Sequence, residues 1–306
     1  MSPSTDVLVL GSEHWRIGVM PGIGASLAFG QISDGDGWTD LLRPTAEAAR
    51  TDPMTCSCYV LAPWSNRVAG GVLRYEGRTW QLRKNEDQIN AIHGTANEFA
   101  WQVVDKDSAH ATLRFDSALV VGANFPWPFR VTVRYELDGK VFRVTTTLEN
   151  TSDVAFPAGF GHHPYFQRTL AGPADEVRLQ IPVEAAFKLH NCIPDGPAGP
   201  LTPRLDFREM RPLGTEFIDD NLTARVEGEP IRLFYPRSKR EFHVTADPVF
   251  SSIILYVPQH ESFFAVEPVT NANDGFALYD RGVPGSGVFV LQAGESKTAS
   301  FQIEAM

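Results

Sequence analysis

The residues of this sequence best suited to proton transfer are two adjacent histidines, His162 and His163. Residues 156–166 around them are predicted to form a β-strand that ends at Pro164, because proline has no N–H to give to a central ladder. Successive side chains on a strand point to opposite faces, so only one of the two imidazoles can face a given pocket. We therefore expect one functional and one structural histidine. The alternative is that both only fill space beside the aromatic residues that follow.

A second candidate for acid–base chemistry is Glu267, which lies among Phe264, Val266 and Pro268. A glutamate in such an apolar segment is costly to bury without a partner. This position therefore favours a functional role for the carboxyl group over an incidental one.

The composition of the chain limits the classes of partner it can have. It contains 306 residues, of which 43% are hydrophobic and 21% are charged, and it carries a formal net charge of −10. This length allows a sizeable core, and the negative charge argues against nucleic acid or an anionic membrane as a partner. The first twenty residues have no basic flank, so we expect neither a secretory signal nor a membrane anchor.

The cysteines indicate the redox environment. Cys56 and Cys58 lie two apart on a predicted strand, and Cys192 is far away in the sequence. An odd count and this spacing favour free, reduced thiols over a disulfide framework or a zinc site. We therefore expect a cytoplasmic protein, and the oligomeric state stays open between monomer and homodimer.

The elements that must position these groups are β-strands. Short β-type runs separated by turn residues occupy most of the chain, without a sustained helical period, repeat or linker. The clearest hairpin runs through residues 129–148 with Asp138 and Gly139 at its turn, and its strands alternate between apolar and polar residues. Strands with one apolar face and one solvent-exposed face are typical of sheets packed face to face. We predict an all-β fold, a large antiparallel β-sandwich, with residues 1–306 as a single domain.

Four separated segments resemble the aldose 1-epimerases, or mutarotases, in order and rough spacing. The segments are Asn66-Arg67-Val-Ala-Gly-Gly, His93-Gly94, His163-Pro-Tyr165-Phe166 and Glu267-Pro268-Val-Thr270. The resemblance covers nearly the whole chain, from about residue 15 to the C-terminus. It implies a galactose mutarotase-like β-sandwich that holds a monosaccharide in an open cleft on one sheet.

The resemblance also implies which residues form the site. The catalytic histidine of the family directly precedes a small residue and then Tyr-Phe, which selects His163 over His162, and its catalytic base matches Glu267. Its sugar-binding aspartate matches Asp219 through an Asp-x-x-Phe pattern in which Leu replaces Phe here, so Asp220 remains an alternative. The expected substrate-binding residues are Asn66, Arg67, His93, Tyr165 and Asp219.

The reaction that the resemblance implies explains why these residue types are needed. Exchange of two anomers breaks the bond from C1 to the ring oxygen and closes it on the other face. We expect ionised Glu267 to take the proton of the anomeric hydroxyl while His163 protonates the ring oxygen. This chemistry requires no metal, nucleotide or covalent intermediate, so we expect no cofactor.

Differences from the family pattern leave the sugar open. The galactose-type enzymes of the family have a sequence similar to Asn-His-Ser-Tyr-Phe at the position where this chain has His-His-Pro-Tyr-Phe. In addition, Asn273 stands where the family usually has proline. An epimerase for a hexose 6-phosphate would need two or more basic side chains over the cleft. The candidates for that role are Arg43, Arg74 and Arg168.

Two further functions remain as alternatives. One is a non-catalytic sugar-binding or regulatory protein on the same scaffold, since a fold does not fix a function. The other is a metal-dependent cupin-type enzyme, which would need histidines at alternating strand positions rather than adjacent ones. Among aromatic residues near the motifs, Trp64, Trp127, Tyr165 and Phe166 are candidates to stack on a sugar ring, although core packing is the commoner fate.

Overall fold

The structure, a computed structural model, describes residues 6–35, 37–85 and 89–306. The expectations for residues 1–5, which form the N-terminal end of the predicted domain 1–306, lie outside this range. Strands dominate the described residues, as predicted, and the one α-helix among them is Gly275–Asp280. In the part of the chain that the structure describes, five short 3₁₀ turns accompany the strands: Glu47–Ala49, Pro53–Thr55, Ala69–Gly71, Ala96–Glu98 and Ser117–Leu119. No helix of the described residues has the length and apolar character needed to cross a membrane.

The larger of the two main sheets, here called the cleft sheet, has 12 strands. Ten of them follow one another across the sheet in this order: Leu8–Gly11, Trp15–Met20, Ser26–Ser33, Trp38–Leu42, Tyr165–Gln167, Phe263–Val269, Ser252–Val257, Ile218–Arg225, Val183–Ala186 and Gly199–Pro200. The short strands Gly161–His162 and Val60–Leu61 pair with each other beside Phe263–Val269. Every one of these pairings is antiparallel.

The second main sheet, here called the back sheet, has nine strands. Its order is Gln102–Lys106, His110–Asp116, Phe129–Asp138, Val141–Asn150, Ser296–Ala305, Arg240–Ala246, Ile231–Tyr235, Arg178–Gln180 and Arg211–Pro212. Four two-stranded ribbons complete the strands: Phe156–Ala158 with Phe289–Leu291, Leu189–His190 with Ile193–Pro194, Arg67–Val68 with Ala91–Ile92, and Val72–Tyr75 with Arg78–Gln81.

The main hydrophobic core lies between the two sheets. Alternate residues of the hairpin Phe129–Asp138 and Val141–Asn150 are buried in it, which confirms the hairpin predicted from its alternation and its Asp-Gly turn. Buried polar contacts also join the sheets: Tyr135 Oη donates to the carbonyl of Ala25. Large antiparallel sheets packed in this way confirm the predicted β-sandwich.

Residues 156–166 depart from the prediction of one strand that ends at Pro164. They form three short pieces: Phe156–Ala158 pairs with Phe289–Leu291, Gly161–His162 joins the cleft sheet, and Tyr165–Gln167 resumes pairing there after the proline. Proline removes one ladder hydrogen bond, but the neighbouring residues can still pair. The prediction of one strand that ends at Pro164 was therefore wrong. Each of the three pieces instead pairs with a different part of the chain.

Candidate active site

The side chains of His163 and Glu267 meet inside a pocket on the cleft sheet. Nε2 of His163 lies 3.1 Å from Oε1 of Glu267, and the two side chains are only 6% and 2% exposed. Nδ1 of His163 and Oε2 of Glu267 are also buried, and neither has a hydrogen-bond partner among the described residues. Buried polar atoms are normally satisfied, so two unpartnered atoms in one pair are unusual.

Aromatic neighbours fix the orientation of the His163 ring. Its backbone N–H donates to the carbonyl of Tyr59, and its imidazole stacks on the Tyr59 ring with centroids 4.7 Å apart at an interplanar angle of 19°. The Tyr165 ring lies 4.3 Å away, centroid to centroid. Such contacts restrict rotation of the imidazole and keep Nε2 directed at Glu267.

Glu267 is held by its place in the middle of the cleft sheet. Its strand, Phe263–Val269, pairs with Ser252–Val257 on one side, where Ile254 lies opposite Glu267. On the other side it pairs with Tyr165–Gln167 and with Gly161. A carboxyl group on a strand bonded along both edges has little positional freedom, which suits a group that must meet a partner atom closely.

His162 lies on the opposite side of the sheet from His163, as the strand alternation predicts. Its Nε2 is 2.7 Å from Oγ1 of Thr146 in the back sheet, and its ring centroid is 5.1 Å from that of Phe301. The ring is fully buried between the two sheets. His162 therefore has a structural environment, whereas His163 lines the pocket.

Across the pocket, Arg67 contacts Asp219. Nη2 of Arg67 lies 3.2 Å from Oδ2 of Asp219, and Nη1 donates to Oδ1 of Asn66. Asp220 points away from the pocket and pairs with Arg204 at 2.7 Å. Of the two aspartates considered from the sequence, the structure thus places Asp219 in the pocket.

The loop that carries Asn66 and Arg67 is tied to the segment after Glu267. The backbone N–H of Ser65 donates to Oδ1 of Asn271, and Nδ2 of Asn271 donates back to the carbonyl of Ser65. The backbone N–H of Asp274 donates to the carbonyl of Arg67. These bonds couple the position of the guanidinium group to the strand that supplies the carboxyl group.

His93 enters the pocket from a sharp turn. It has a φ of +65°, and the following residue, Gly94, has a φ of +75°. Its backbone N–H donates to the carbonyl of Asn66, which fixes the turn beside Arg67. A Cβ on Gly94 would lie 2.0 Å from the carbonyl oxygen of Ala62, so only glycine fits there.

All seven residues expected at the site line one cavity of about 150 Å³. Its lining consists of Met54, Tyr59, Asn66, Arg67, Ile92, His93, His163, Tyr165, Asp219, Tyr256 and Glu267. Four of these residues were not expected from the sequence: Met54, Tyr59, Ile92 and Tyr256. Tyr59 had one available signal: alternation from Cys58 and Val60, which enter the core, turns Tyr59 to the opposite face.

Burial acts on the pKa values of both members of the central pair. Burial raises the pKa of Glu267 well above its usual range, and the Asp219 carboxylate adds to this, while Arg67 opposes it. Burial lowers the pKa of His163 well below its usual range, and the neighbouring His93 and Arg43 add to this. Both pKa shifts have burial as their largest cause, which disfavours a charge on either group. Burial likewise lowers the pKa of His93 to about 3.

Several sequence candidates lie outside the pocket lining. Trp64 and Phe166 are fully buried in hydrophobic clusters, and Trp127 packs against Trp80 with ring centroids 4.6 Å apart. Tyr165 alone of the four aromatic candidates lines the pocket. Within the described residues, no group of three or more His, Cys, Asp and Glu side chains is arranged to hold a metal ion.

Comparison with known proteins identifies the relatives of this chain. The family model described as aldose 1-epimerase matches residues 8–304. Two proteins of Escherichia coli strain K12 are similar: the uncharacterized protein YphB is 26% identical over 281 residues, which cover 87% of this chain and 88% of YphB. The uncharacterized protein YihR is 25% identical over 252 residues, which cover 80% of this chain and 77% of YihR.

A solved structure shares the fold. The galactose mutarotase-like protein of Clostridium acetobutylicum superposes with a TM-score of 0.87 at 19% identity, covering 98% of this chain and 95% of that one. At this identity the similarity concerns the fold alone. The match of the family model over nearly the whole described length shows that this chain belongs to the aldose 1-epimerase family.

Proposed function

We propose that this protein is an aldose 1-epimerase that interconverts the α and β anomers of a free hexose. The observation that supports this best is the 3.1 Å contact between His163 Nε2 and Glu267 Oε1 in the pocket. The anomeric oxygen and the ring oxygen of a hexose are bonded to the same carbon, so a proton donor and acceptor this close can serve both. Membership of the aldose 1-epimerase family supports a carbohydrate epimerase in general.

The proposed reaction moves one proton in each direction. Glu267 takes the proton of the anomeric hydroxyl as His163 protonates the ring oxygen, and the bond from C1 to the ring oxygen breaks. The open aldehyde rotates about the C1–C2 bond. Closure on the other face returns the protons with the roles of the two groups exchanged.

A free site in which neither group carries a charge is compatible with this sequence of steps. Transfer of the single proton from Glu267 to His163 along their 3.1 Å contact creates the ionic form without changing the charge of the pocket. A sugar hydroxyl that donates to Glu267 stabilises the carboxylate, because hydrogen bonds to a charged form favour it. The pair thus needs one shared proton in total rather than an ionised glutamate at the start.

The remaining lining residues are proposed to bind the sugar. Arg67 and Asn66 offer donors to sugar oxygens, Asp219 accepts from hydroxyl groups, and His93 lines the pocket beside them. The Tyr165 ring offers an apolar surface at the pocket wall.

The charges in the pocket favour a free sugar over a hexose 6-phosphate. Arg67 is the only Lys or Arg of the described residues that lines the pocket, and it already pairs with Asp219. Arg168 contacts Glu176 and the carbonyl of Gly214. Arg43 is also engaged elsewhere, since its guanidinium lies 3.8 Å from the ring centroid of Tyr165 and donates to the carbonyl of Cys56. A phosphate in this pocket would lie near the carboxyl groups of Asp219 and Glu267, without a cluster of unpaired Lys or Arg side chains among the described residues to bind it.

The three free cysteines support a reducing compartment. Cys56 and Cys58 are buried without a disulfide, and Cys192 is also free. A cytoplasmic location is our inference from these thiols.

The catalytic pair is tested by polarimetry of anomer exchange in glucose and galactose. We expect Glu267→Gln and His163→Asn each to lower kcat by about 10² to 10⁴, because each removes one proton-transfer partner. Matched controls are Glu229→Gln and His260→Asn, which change exposed residues of the same types and should keep full activity.

A kcat near that of the wild type in either pocket variant would remove that residue from the mechanism. Glucose 6-phosphate in the same assay distinguishes the phosphorylated alternative, and we expect it to be the poorer substrate. If the wild-type protein binds hexoses but accelerates none, the non-catalytic sugar-binding alternative is correct.

A further inference from the structure

A second cavity adjoins the proposed sugar pocket. This outer cavity has a volume of about 300 Å³ and shares Met54, Ile92 and His93 with the pocket. Its remaining lining consists of Thr51, Asp52, Pro53, Asn85, Asn97 and Glu98. The ring of His93 therefore stands at the boundary between the two spaces, and a ligand in one space can extend into the other.

Asn97 is the clearest sign that the outer cavity is built to hold a polar ligand. The residue is only 5% exposed, yet its side-chain amide makes no hydrogen bond with any of the described residues. A buried amide with two donors and one acceptor is normally satisfied. In a cavity wall, such a group is available to a ligand hydroxyl as donor and acceptor.

The chemistry of the other lining groups limits what that ligand can be. Asp52 and Glu98 place two carboxylates at the outer cavity, of which Glu98 also pairs with Arg83, and none of the described lining residues is a lysine or arginine. This charge disfavours a phosphate, sulfate or carboxylate group. Carboxylates and amides together are well suited to accept from and donate to hydroxyl groups, and Met54, Pro53 and Ile92 supply apolar surface beside them.

We propose that the outer cavity is a subsite for a second sugar ring, so that the preferred substrate is a neutral reducing disaccharide or longer oligosaccharide. Its reducing ring occupies the pocket over His163 and Glu267, and the next ring lies beyond His93 against Asn97. The reaction at C1 is unchanged, because the glycosidic bond leaves the reducing end free to open. This inference rests on the proposed function for its catalytic test, but not for its binding test.

The catalytic test compares anomer exchange for glucose with that for maltose and cellobiose, and for galactose with that for a galactose disaccharide. We expect kcat/KM for at least one disaccharide to exceed that of its own monosaccharide by tenfold or more. If every disaccharide is a poorer substrate than its monosaccharide, the proposal is wrong.

The binding test uses methyl glycosides, which cannot open their rings, and measures Kd by calorimetry. A methyl disaccharide should bind at least tenfold more tightly than the corresponding methyl monosaccharide. This measurement separates the two ideas: tighter disaccharide binding without any catalysis would reject the epimerase and keep the subsite. Equal or weaker disaccharide binding would reject the subsite whatever the catalytic result.

Two variants place the second ring in the outer cavity. Asn97→Leu keeps the size of the side chain and removes its polar atoms, and Thr51→Arg fills the cavity from its exposed rim. Both should abolish the disaccharide advantage. Thr202→Arg, at an exposed position that lines neither cavity, is the matched control and should retain the advantage. An advantage that persists in both Asn97→Leu and Thr51→Arg would show that the second ring binds elsewhere.

Discussion

At the scale of single residues, the proposed mechanism has His163 and Glu267 compete for one proton. Both groups are buried, so neither carries a charge without a cost in solvation, and burial moves their pKa values in opposite directions. In the proposed mechanism, the working form holds one proton for the two groups. It is lost when His163 also becomes protonated at low pH, or when Glu267 also becomes deprotonated at high pH.

This competition predicts the pH dependence of catalysis. A pKa of His163 below its usual value of about 6.5 means that the acid limb of the kcat/KM profile falls below pH 6.5. A raised pKa of Glu267 places the alkaline limb well above the usual range of a carboxyl group. Activity should therefore be retained at pH 6. Stopped-flow polarimetry between pH 4 and 10 checks this, and an acid limb centred at or above pH 6.5 would contradict it.

Residue types and motif order were enough to propose most of the site, but not all of it. Alternation predicts that only one of His162 and His163 faces the pocket, the resemblance to the aldose 1-epimerases selects His163, and His163 lines the pocket. The choice between Asp219 and Asp220 could not be made, because both orientations of that strand are compatible with the sequence. The pairing of Ile218 with Val257 and of Asp219 with Tyr256 sets the orientation, and it depends on a strand distant in sequence.

At the scale of elements, the turn that carries His93 depends on Gly94. We expect Gly94→Ala to lower the free energy of unfolding by more than about 2 kcal/mol, since a left-handed backbone costs about 1–2 kcal/mol for alanine and the methyl group also meets the Ala62 carbonyl. It should also raise KM, because the turn holds His93 in the pocket. Urea denaturation and polarimetry measure the two effects.

Gly77 provides a matched control for that substitution. It has a φ of +73°, close to the +75° of Gly94, but a Cβ there would meet no atom within 4 Å. Gly77→Ala should therefore show the backbone cost without the collision and leave KM unchanged. Equal losses of stability in the two variants would mean that the close approach to Ala62 is unimportant.

Elements with local partners were predictable, and elements with distant partners were not. The hairpin of Phe129–Asp138 and Val141–Asn150 is closed by its own turn, so alternation and an Asp-Gly pair specify its register. Residues 156–166 read as one strand because their alternation is continuous. Their partners are Phe289–Leu291, Val269 and Phe263–Ala265, more than ninety positions away, and no local signal shows where one partner replaces another.

At the scale of the whole molecule, the buried histidines make folding sensitive to acid. Burial lowers the pKa of His93 and His162 to about 3, below the value of about 6.5 expected in the unfolded chain. Between these values the unfolded chain binds a proton at each site and the folded chain does not. The contribution of these two histidines to the free energy of unfolding is therefore fully present above pH 6.5. It is lost as the pH falls, by about 1.4 kcal/mol per pH unit for each histidine.

The prediction is checked by urea unfolding between pH 6.5 and 5. His163 contributes with the same sign, while Glu267, whose pKa is raised, opposes one histidine because the folded chain retains its proton. A net loss of stability towards pH 5 should remain. In His162→Gln the slope should decrease by about 1.4 kcal/mol per pH unit. An unchanged slope would show that His162 is not held neutral in the fold.

The bonds that assemble the pocket join parts of the chain that are far apart in sequence. Arg67 reaches Asp219 across 152 positions, and Ser65 reaches Asn271 across 206. Contacts of such high sequence separation form slowly, because long loops must close before they are made. During refolding, recovery of catalytic turnover would therefore mark the completion of the last long-range pairings. An N-terminal fragment that ends before residue 267 would lack part of the site and would show no activity.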